Sequence, residues 1–168
     1  SDRGDRGEEP GRAAVEDPRI RPVRLERNQG ISGNTNAALR HVTGLFIVLL
    51  DHDDTLAAHA LAAIAEALRL NPEADFIYSD EDKLDEFNRR CEPFYKPDWS
   101  PDLLDGVNYV CHLLCVRRTL MDRVGGFRAG FDGAQDFDLV LRLTEQARRV
   151  GHISQPLYSW RMVEGSTA

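Results

Sequence analysis

Apolar and polar positions along this chain alternate between two regimes. Leu45 to Leu50 is six apolar residues in succession, rich in Phe, Ile and Val, and it stops abruptly on Asp51. A run of that length without polar alternation predicts a strand covered on both faces, as in a parallel α/β sheet. From Leu56 to Leu70 the pattern changes: Leu61, Ile64 and Leu68 recur at helical spacing among alanines, and Asn71-Pro72 ends the segment. A shorter helix is predicted from about Asn34 to Val42, entered through the turn-rich Asn28 to Gly33 with Ser32 or Asn34 as its cap. Arg21 to Glu26, Phe76 to Tyr78 and Asn108 to Val116 read as strands, and Asp85 to Pro101 as loop. Arg117 to Val124 reads as a short helix closed by Gly125-Gly126. After a loop from Asp132, a helix reaching towards Arg149 has Phe137, Val140, Leu141 and Thr144 on one face. His152 to Trp160 reads as one or two strands. The order β-α-β-α-β, then β-α-α-β, is that of a mixed α/β domain.

Composition narrows the class. The chain has 168 residues, 42% of them hydrophobic and 29% charged, enough for one domain with a real core. Ser1 to Asp17 is polar and broken by Gly4, Gly7, Pro10 and Gly11, which predicts a loosely packed lead-in over residues 1–16 before a domain at 17–168. A net charge of −7 argues against a nucleic-acid binder, whose affinity rests on Lys and Arg. No apolar run approaches the roughly 18 residues of a membrane span, and no secretory h-region opens the chain. Three cysteines without framework spacing suit reduced thiols and a cytoplasmic setting.

The candidate chemistry lies where apolar runs end. Asp51, Asp53 and Asp54 are three like charges within four residues, at the strand end where open α/β sheets bind ligands. A hard divalent cation, Mg²⁺ or Mn²⁺, would relieve their repulsion; a solvated turn with Asp54 or Thr55 capping the next helix is the structural alternative. Asp80, Glu81 and Asp82 end the next strand in the same way. Gly30 and Gly33 before a helix would let backbone N–H groups approach an anion, although their spacing matches no phosphate-loop fingerprint. Cys111-His112-Leu113-Leu114-Cys115 superficially resembles a metal cluster. On a strand, however, the two cysteines lie about 13 Å apart and His112 faces the other way, so one Zn²⁺ cannot take all three, and both cysteines read as core. Asp136 and Asp138 open a helix, and a turn of about 100° per residue lets at most one of them look into a site. Arg161 is a candidate partner for a phosphate or carboxylate.

In combination and in order, these stretches resemble family 2 glycosyltransferases of the GT-A fold. They are Asn28-Gln-Gly30 with Asn36, Gly44 to Asp54, Tyr78-Ser-Asp80-Glu81-Asp82-Lys83, Lys96 to Asp102, Val124-Gly-Gly-Phe127, Gly133 to Leu139 and Leu157 to Arg161. The resemblance runs from about Asp17 to Ala168. It implies transfer of a sugar from a nucleotide-diphosphate donor to an acceptor hydroxyl on a glycan or glycolipid, with inversion and with Mg²⁺ or Mn²⁺. It makes Asp51-His52-Asp53 the DXD motif, with Asp53 the main metal ligand and Asp51 beside the metal or ribose. Asp136 becomes the catalytic base, and Asp138 is left structural. Asn28, Gly30, Asn36 and Arg161 fall on donor-binding positions.

Two departures shape the expectation. The family opens with a strand carrying a Pro-x-Tyr-Asn-like turn and a second strand ending Asp-Asp-Gly-Ser, and neither is found here. That predicts a GT-A-like domain truncated at its N-terminus, lacking the first βαβ nucleotide-binding elements, with activity of the isolated chain in doubt and self-association over uncovered apolar surface. Ser159 stands where the family often has His, and Trp160 precedes Arg161, which fits a non-processive transferase or one module of a larger enzyme. The cytoplasmic setting extends to peripheral membrane association through a full-length protein. Two rival readings remain: a haloacid-dehalogenase-like phosphatase with Asp51 as nucleophile, for which the later Lys and acidic motif are misplaced, and an inactive GT-A remnant acting as a binding module.

Overall fold

The computed structural model describes residues 17–131 and 133–162, so the expected lead-in at residues 1–16 and the loop residue Asp132 fall outside it. In chain order the elements are α1 (Gly30–Leu39), β1 (Phe46–Leu49), β2 (Thr55–Leu56), α2 (Ala60–Leu70), β3 (Phe76–Leu84), β4 (Arg90–Phe94), α3 (Pro101–Gly106), β5 (Leu114–Arg117), α4 (Arg118–Val124), α5 (Gln135–Gln146) and β6 (Val150–Arg161). They form a six-stranded mixed sheet ordered β1-β5-β3-β6-β2, with β4 paired to β3. β3 and β6 run parallel over nearly their whole length; the other described pairs are antiparallel.

The apolar run of β1 does face a core on each side. Ile47 and Leu49 pack with Phe76, Tyr78, Val116, Leu139 and Leu143, while Phe46 and Val48 pack with Ile77, Leu113, Cys115 and Tyr158. Its expected parallel neighbourhood is corrected, because β1 pairs antiparallel with β5 and no second strand flanks it among the described residues. Leu45 and Leu50, at the ends of the run, are 75% and 49% exposed. The two cores divide the helices: α4 and α5 cover one face and α2 the other. Burying each large side chain there contributes about 1.5–3 kcal/mol.

Several boundaries move. No strand forms over 21–26, and α1 starts at Gly30 instead of Asn34, with Asn28 Oδ1 accepting the Gly30 N–H and Asn34 Oδ1 the Gln29 N–H. α2 starts at Ala60, since Thr55–Leu56 is drawn into the sheet by β6, and its packed face is Ala60, Ile64, Ala67 and Leu68. Leu61, which the spacing put on that face, is 66% exposed. The expected strand over 108–116 shortens to Leu114–Arg117, and residues 90–94, expected as loop, pair with the far half of β3. β3 itself runs through Asp80, Glu81 and Asp82 instead of stopping before them.

Asp75 pins the start of β3 to two other elements. Its carboxylate, almost wholly buried, accepts Arg117 Nε at 2.6 Å and Arg148 Nε and Nη2 at 2.8 and 2.9 Å. The Arg148 guanidinium, opposed by burial, holds this carboxyl well below the usual carboxylate range. A depressed folded value means that the stabilisation is complete above the unfolded value near pH 3.9 and is lost as pH falls through the folded one. Asp75→Asn is expected to cost about 3 kcal/mol in urea denaturation at pH 7, with the gap to the parent chain closing below about pH 4.

Candidate functional site

The loop after β1 carries its acids in three different situations. Asp54 is tied down: Oδ2 accepts the Tyr158 hydroxyl at 2.7 Å and Oδ1 accepts the Arg161 backbone N–H at 2.8 Å. The same Tyr158 oxygen accepts the Asp51 N–H at 3.1 Å, so one buried phenol holds both ends of the turn. Asp51 keeps an exposed carboxylate with no hydrogen bond from a described residue, and Asp53 has only the His52 ring, 3.6 Å away and 96% exposed. Pairing of Thr55 with Ser159 and Leu56 with Tyr158 brings β6 under this loop. Neither Asp54 nor Thr55 caps α2, whose N-cap is His59.

Opposite the loop, α5 begins after a turn at Gly133, whose φ of 88° lies in the left-handed region. Gly133 N–H donates to Gln135 Oε1 at 2.6 Å, and Gln135 Nε2 donates to Asp136 Oδ2 at 3.2 Å. Surrounding protein pushes the Asp136 carboxyl above its ordinary value; His112 opposes that push and Asp51 adds to it. The residue itself is exposed at the helix start. His112 and Asp51 both act on Asp136 through their charge, and the Tyr158 ring that carries His112 also holds the Asp51 N–H through its hydroxyl. Asp138 turns away, buried and paired with Arg128 and Arg142, which hold it below the carboxylate range. The two acids at the head of α5 thus divide as helical geometry requires.

His112 lies between these walls. Its ring stacks on Tyr158 at 4.5 Å and meets the edge of Trp160 at 5.0 Å. Its backbone is held on both sides: N–H donates to Glu81 Oε2 at 3.0 Å, and its carbonyl accepts from Lys96 Nζ. Lys96, with a side chain 0% exposed, also donates to Glu81 Oε2 at 2.8 Å and to the Val110 carbonyl at 2.6 Å. Burial drives this ammonium's pKa down while Glu81 resists. Asp80 accepts Lys96 N–H and His152 Nε2, and Asp82 takes Ser159 and Arg90. All three acids of β3 are therefore occupied by protein donors and serve as supports.

The expected donor-binding residues divide. Arg161 donates Nε to the Asp53 carbonyl at 2.8 Å and Nη1 to Asn88, so it braces the acid loop from behind. Asn36 exchanges both amide groups with the backbone of Phe127, where a Cβ on Gly126 would meet its Oδ1 at 2.5 Å. Asn28 and Gly30 form the turn that opens α1 and make no described hydrogen bond to the acid loop. Cys115 is core, its thiol pushed up to about 12 by burial. Cys111 lies off the strand and half-buried, its thiol pushed up to about 11 by burial and the Glu81 charge.

Among the described residues, no group of three or more His, Cys, Asp and Glu is arranged to hold a metal ion. Asp51 and Asp53 do supply two hard carboxylates, the first exposed and the second partly so. That donor set fits a cation such as Mg²⁺, which is bound through one or two carboxylates and takes its remaining ligands from water and phosphate. Sequence patterning did not reveal Tyr158, Lys96, Glu81 and Asp54 as the frame of the site, because the burial of Lys96 and its pairing with Glu81 arise only from the fold. Tyr158→Phe, which keeps the stack but deletes the hydroxyl linking Asp51 and Asp54, is expected to lower stability by about 1–3 kcal/mol in urea denaturation.

The profile described as glycosyl transferase family 2 matches residues 5–125. The O-antigen biosynthesis protein RfbC of Myxococcus xanthus is 47% identical over 156 residues, which is 93% of this chain and 12% of that protein. An uncharacterized protein, y4gI, of Sinorhizobium fredii is 46% identical over 157 residues, 92% of this chain and 17% of that one. The chain thus spans under a fifth of the length of these two relatives. A crystal structure of S. aureus TarS 1-349 in complex with UDP-GlcNAc superposes with a TM-score of 0.73 at 20% identity, covering 92% of this chain and 46% of that one, which shows the GT-A-like fold. The phosphatase reading is set aside by the same matches: this chain belongs to glycosyl transferase family 2.

Proposed function

We propose that this chain carries the acid-lined cleft of a metal-dependent, inverting glycosyltransferase, moving a sugar from a nucleotide-diphosphate donor to an acceptor hydroxyl. The observation that supports it most is the sorting of acids. Asp51 keeps an exposed carboxylate and Asp53 a partly exposed one after β1, Asp136 stands exposed at the head of α5 within reach of the Asp51 charge, and the neighbouring acids are consumed by protein donors. Two separated acid functions, one for a cation and one for a proton, are what a direct displacement requires.

Asp51 and Asp53 would hold the divalent cation, which when bound supplies charge neutralisation for the diphosphate. Asp136 accepts the proton of the acceptor hydroxyl as its oxygen attacks the anomeric carbon. The bond from that carbon to the diphosphate breaks with its electron pair leaving on the diphosphate oxygen, and attack from the opposite side inverts the centre. An upward-shifted Asp136 is a stronger base than an ordinary carboxylate once ionised, at the cost of a narrower acid range. The likeness to RfbC points the acceptor towards surface polysaccharide or a glycolipid precursor, and a UDP-linked sugar is the first donor to test because TarS was crystallised with UDP-GlcNAc.

Calorimetric titration of UDP, dTDP and GDP with and without Mn²⁺ is expected to show one nucleotide binding only with the metal. Asp53→Ala should abolish that binding; its persistence would remove the acid loop from the site. Asp136→Asn should leave nucleotide binding intact and lower kcat by about 10²–10⁴ in a donor-turnover assay. The parent chain's rate should fall on acidification through a pKa above the ordinary carboxylate value near 3.9, because Asp136 must be ionised to accept the proton.

A further inference from the structure

The cleft holds an imidazole to which no other part of the fold assigns a role. His112 has its main chain fixed by Glu81 and Lys96 and its ring face fixed by Tyr158 and Trp160, yet its ring nitrogens make no hydrogen bond to a described residue. A side chain locked on every side except its hydrogen-bonding edge is pre-organised for a ligand. The wall beside it carries a second unsatisfied donor, since Trp160 Nε1 is buried without an acceptor.

The charges around it indicate what that ligand is. Asp51, Asp53 and Asp136 make the cleft anionic, while the donor of the proposed reaction carries a diphosphate. The cations nearby are committed elsewhere. Lys96 is sealed among Glu81 and two carbonyls, Arg161 is bound to Asp53 O and Asn88, and Arg128 and Arg142 are held by Asp138. His52 carries its ring out to solvent. Among the described residues around Tyr158 and Trp160, His112 keeps a ring N–H that no protein acceptor takes.

We infer that His112 is a substrate-contacting residue, whose imidazole N–H donates a hydrogen bond to a phosphate oxygen of the departing nucleoside diphosphate. This rests on the glycosyltransferase reading above and adds to it a phosphate contact from a residue outside the acid loop. In the transfer, the bond between the anomeric carbon and the diphosphate oxygen breaks with its electron pair going to that oxygen. The acceptor oxygen forms the new bond and gives its proton to Asp136. His112 keeps its proton throughout and stabilises the negative charge as it gathers on the phosphate.

The test compares the parent chain with His112→Phe, which retains a ring against Tyr158 and Trp160 but has no N–H, and His112→Gln, which retains a donor. Calorimetry with UDP and with inorganic pyrophosphate, each with Mg²⁺, is expected to show about tenfold weaker binding of both ligands to His112→Phe, with partial recovery in His112→Gln and unchanged melting temperatures. Equal affinity in the parent and His112→Phe would overturn the inference and leave the glycosyltransferase reading in place. No binding of either ligand to a well-folded parent chain would overturn both. Should His112→Phe not fold, nitrogen-15 spectra of histidine-labelled parent protein decide the matter: the His112 ring nitrogens are expected to shift on addition of Mg²⁺ and pyrophosphate, and their constancy through saturation would overturn the contact.

Discussion

Lys96 puts an ammonium where no solvent reaches, and the cleft is assembled around satisfying it. Isolated in a protein interior, such a charge would cost several kcal/mol, so it persists only with close partners. It finds them in Glu81 from β3 and in the carbonyls of Val110 and His112. One side chain thereby ties the strand at the centre of the sheet to the irregular segment that enters β5. Its own backbone N–H is bound to Asp80, and the neighbouring Pro97 carbonyl accepts the Tyr78 hydroxyl at 2.6 Å. The segment before α3 is thus laced to β3 at successive points. His112 owes its position to that lacing more than to any property of its own neighbours in sequence.

The same rule sorts the acids. Like charges close together are tolerable in three ways: exposure to water, pairing with donors, or a counter-ion. Asp54, Asp75, Asp80, Glu81, Asp82 and Asp138 are paired with hydroxyls, amides, guanidiniums, an imidazole or an ammonium from distant parts of the chain. Asp51 is left to water, and Asp53 to water and the exposed His52 ring. What distinguishes a support from a candidate ligand here is therefore the supply of nearby donors, and for the loop after β1 that supply comes from β6. Tyr158, Ser159 and Arg161 fall within the last four residues of that strand and reach three different acids or their backbone.

Much of the architecture was legible in the chain. The apolar run before Asp51 does face two cores, the alanine-rich segment is a helix, and Gly125 closes α4 in the left-handed conformation. The opposed directions of Asp136 and Asp138 followed from helical geometry alone and match their surroundings. The pairing partners of the strands were not legible. β1 looked like a parallel strand because a run apolar on both faces is common to any strand sandwiched between two cores, whatever its direction. β4 and the far half of β3 were hidden because their polar residues face hydrogen-bonding partners that no local period announces.

The sequence alone determined the inventory: which segments could be strand or helix, where carboxylates gather, and which family the motifs resemble. These are local quantities, set by side-chain volume, periodicity and spacing within a few residues. Tertiary structure alone decided which carboxylate is free, because freedom depends on donors contributed from more than a hundred residues away, as Tyr158 and Arg161 are for the loop at Asp51 to Asp54. It likewise decided that Arg161 braces a loop and that His112 presents an open edge to the cleft. A hydrogen bond between distant residues leaves no trace in the pattern of either neighbourhood, and so these assignments waited on the fold.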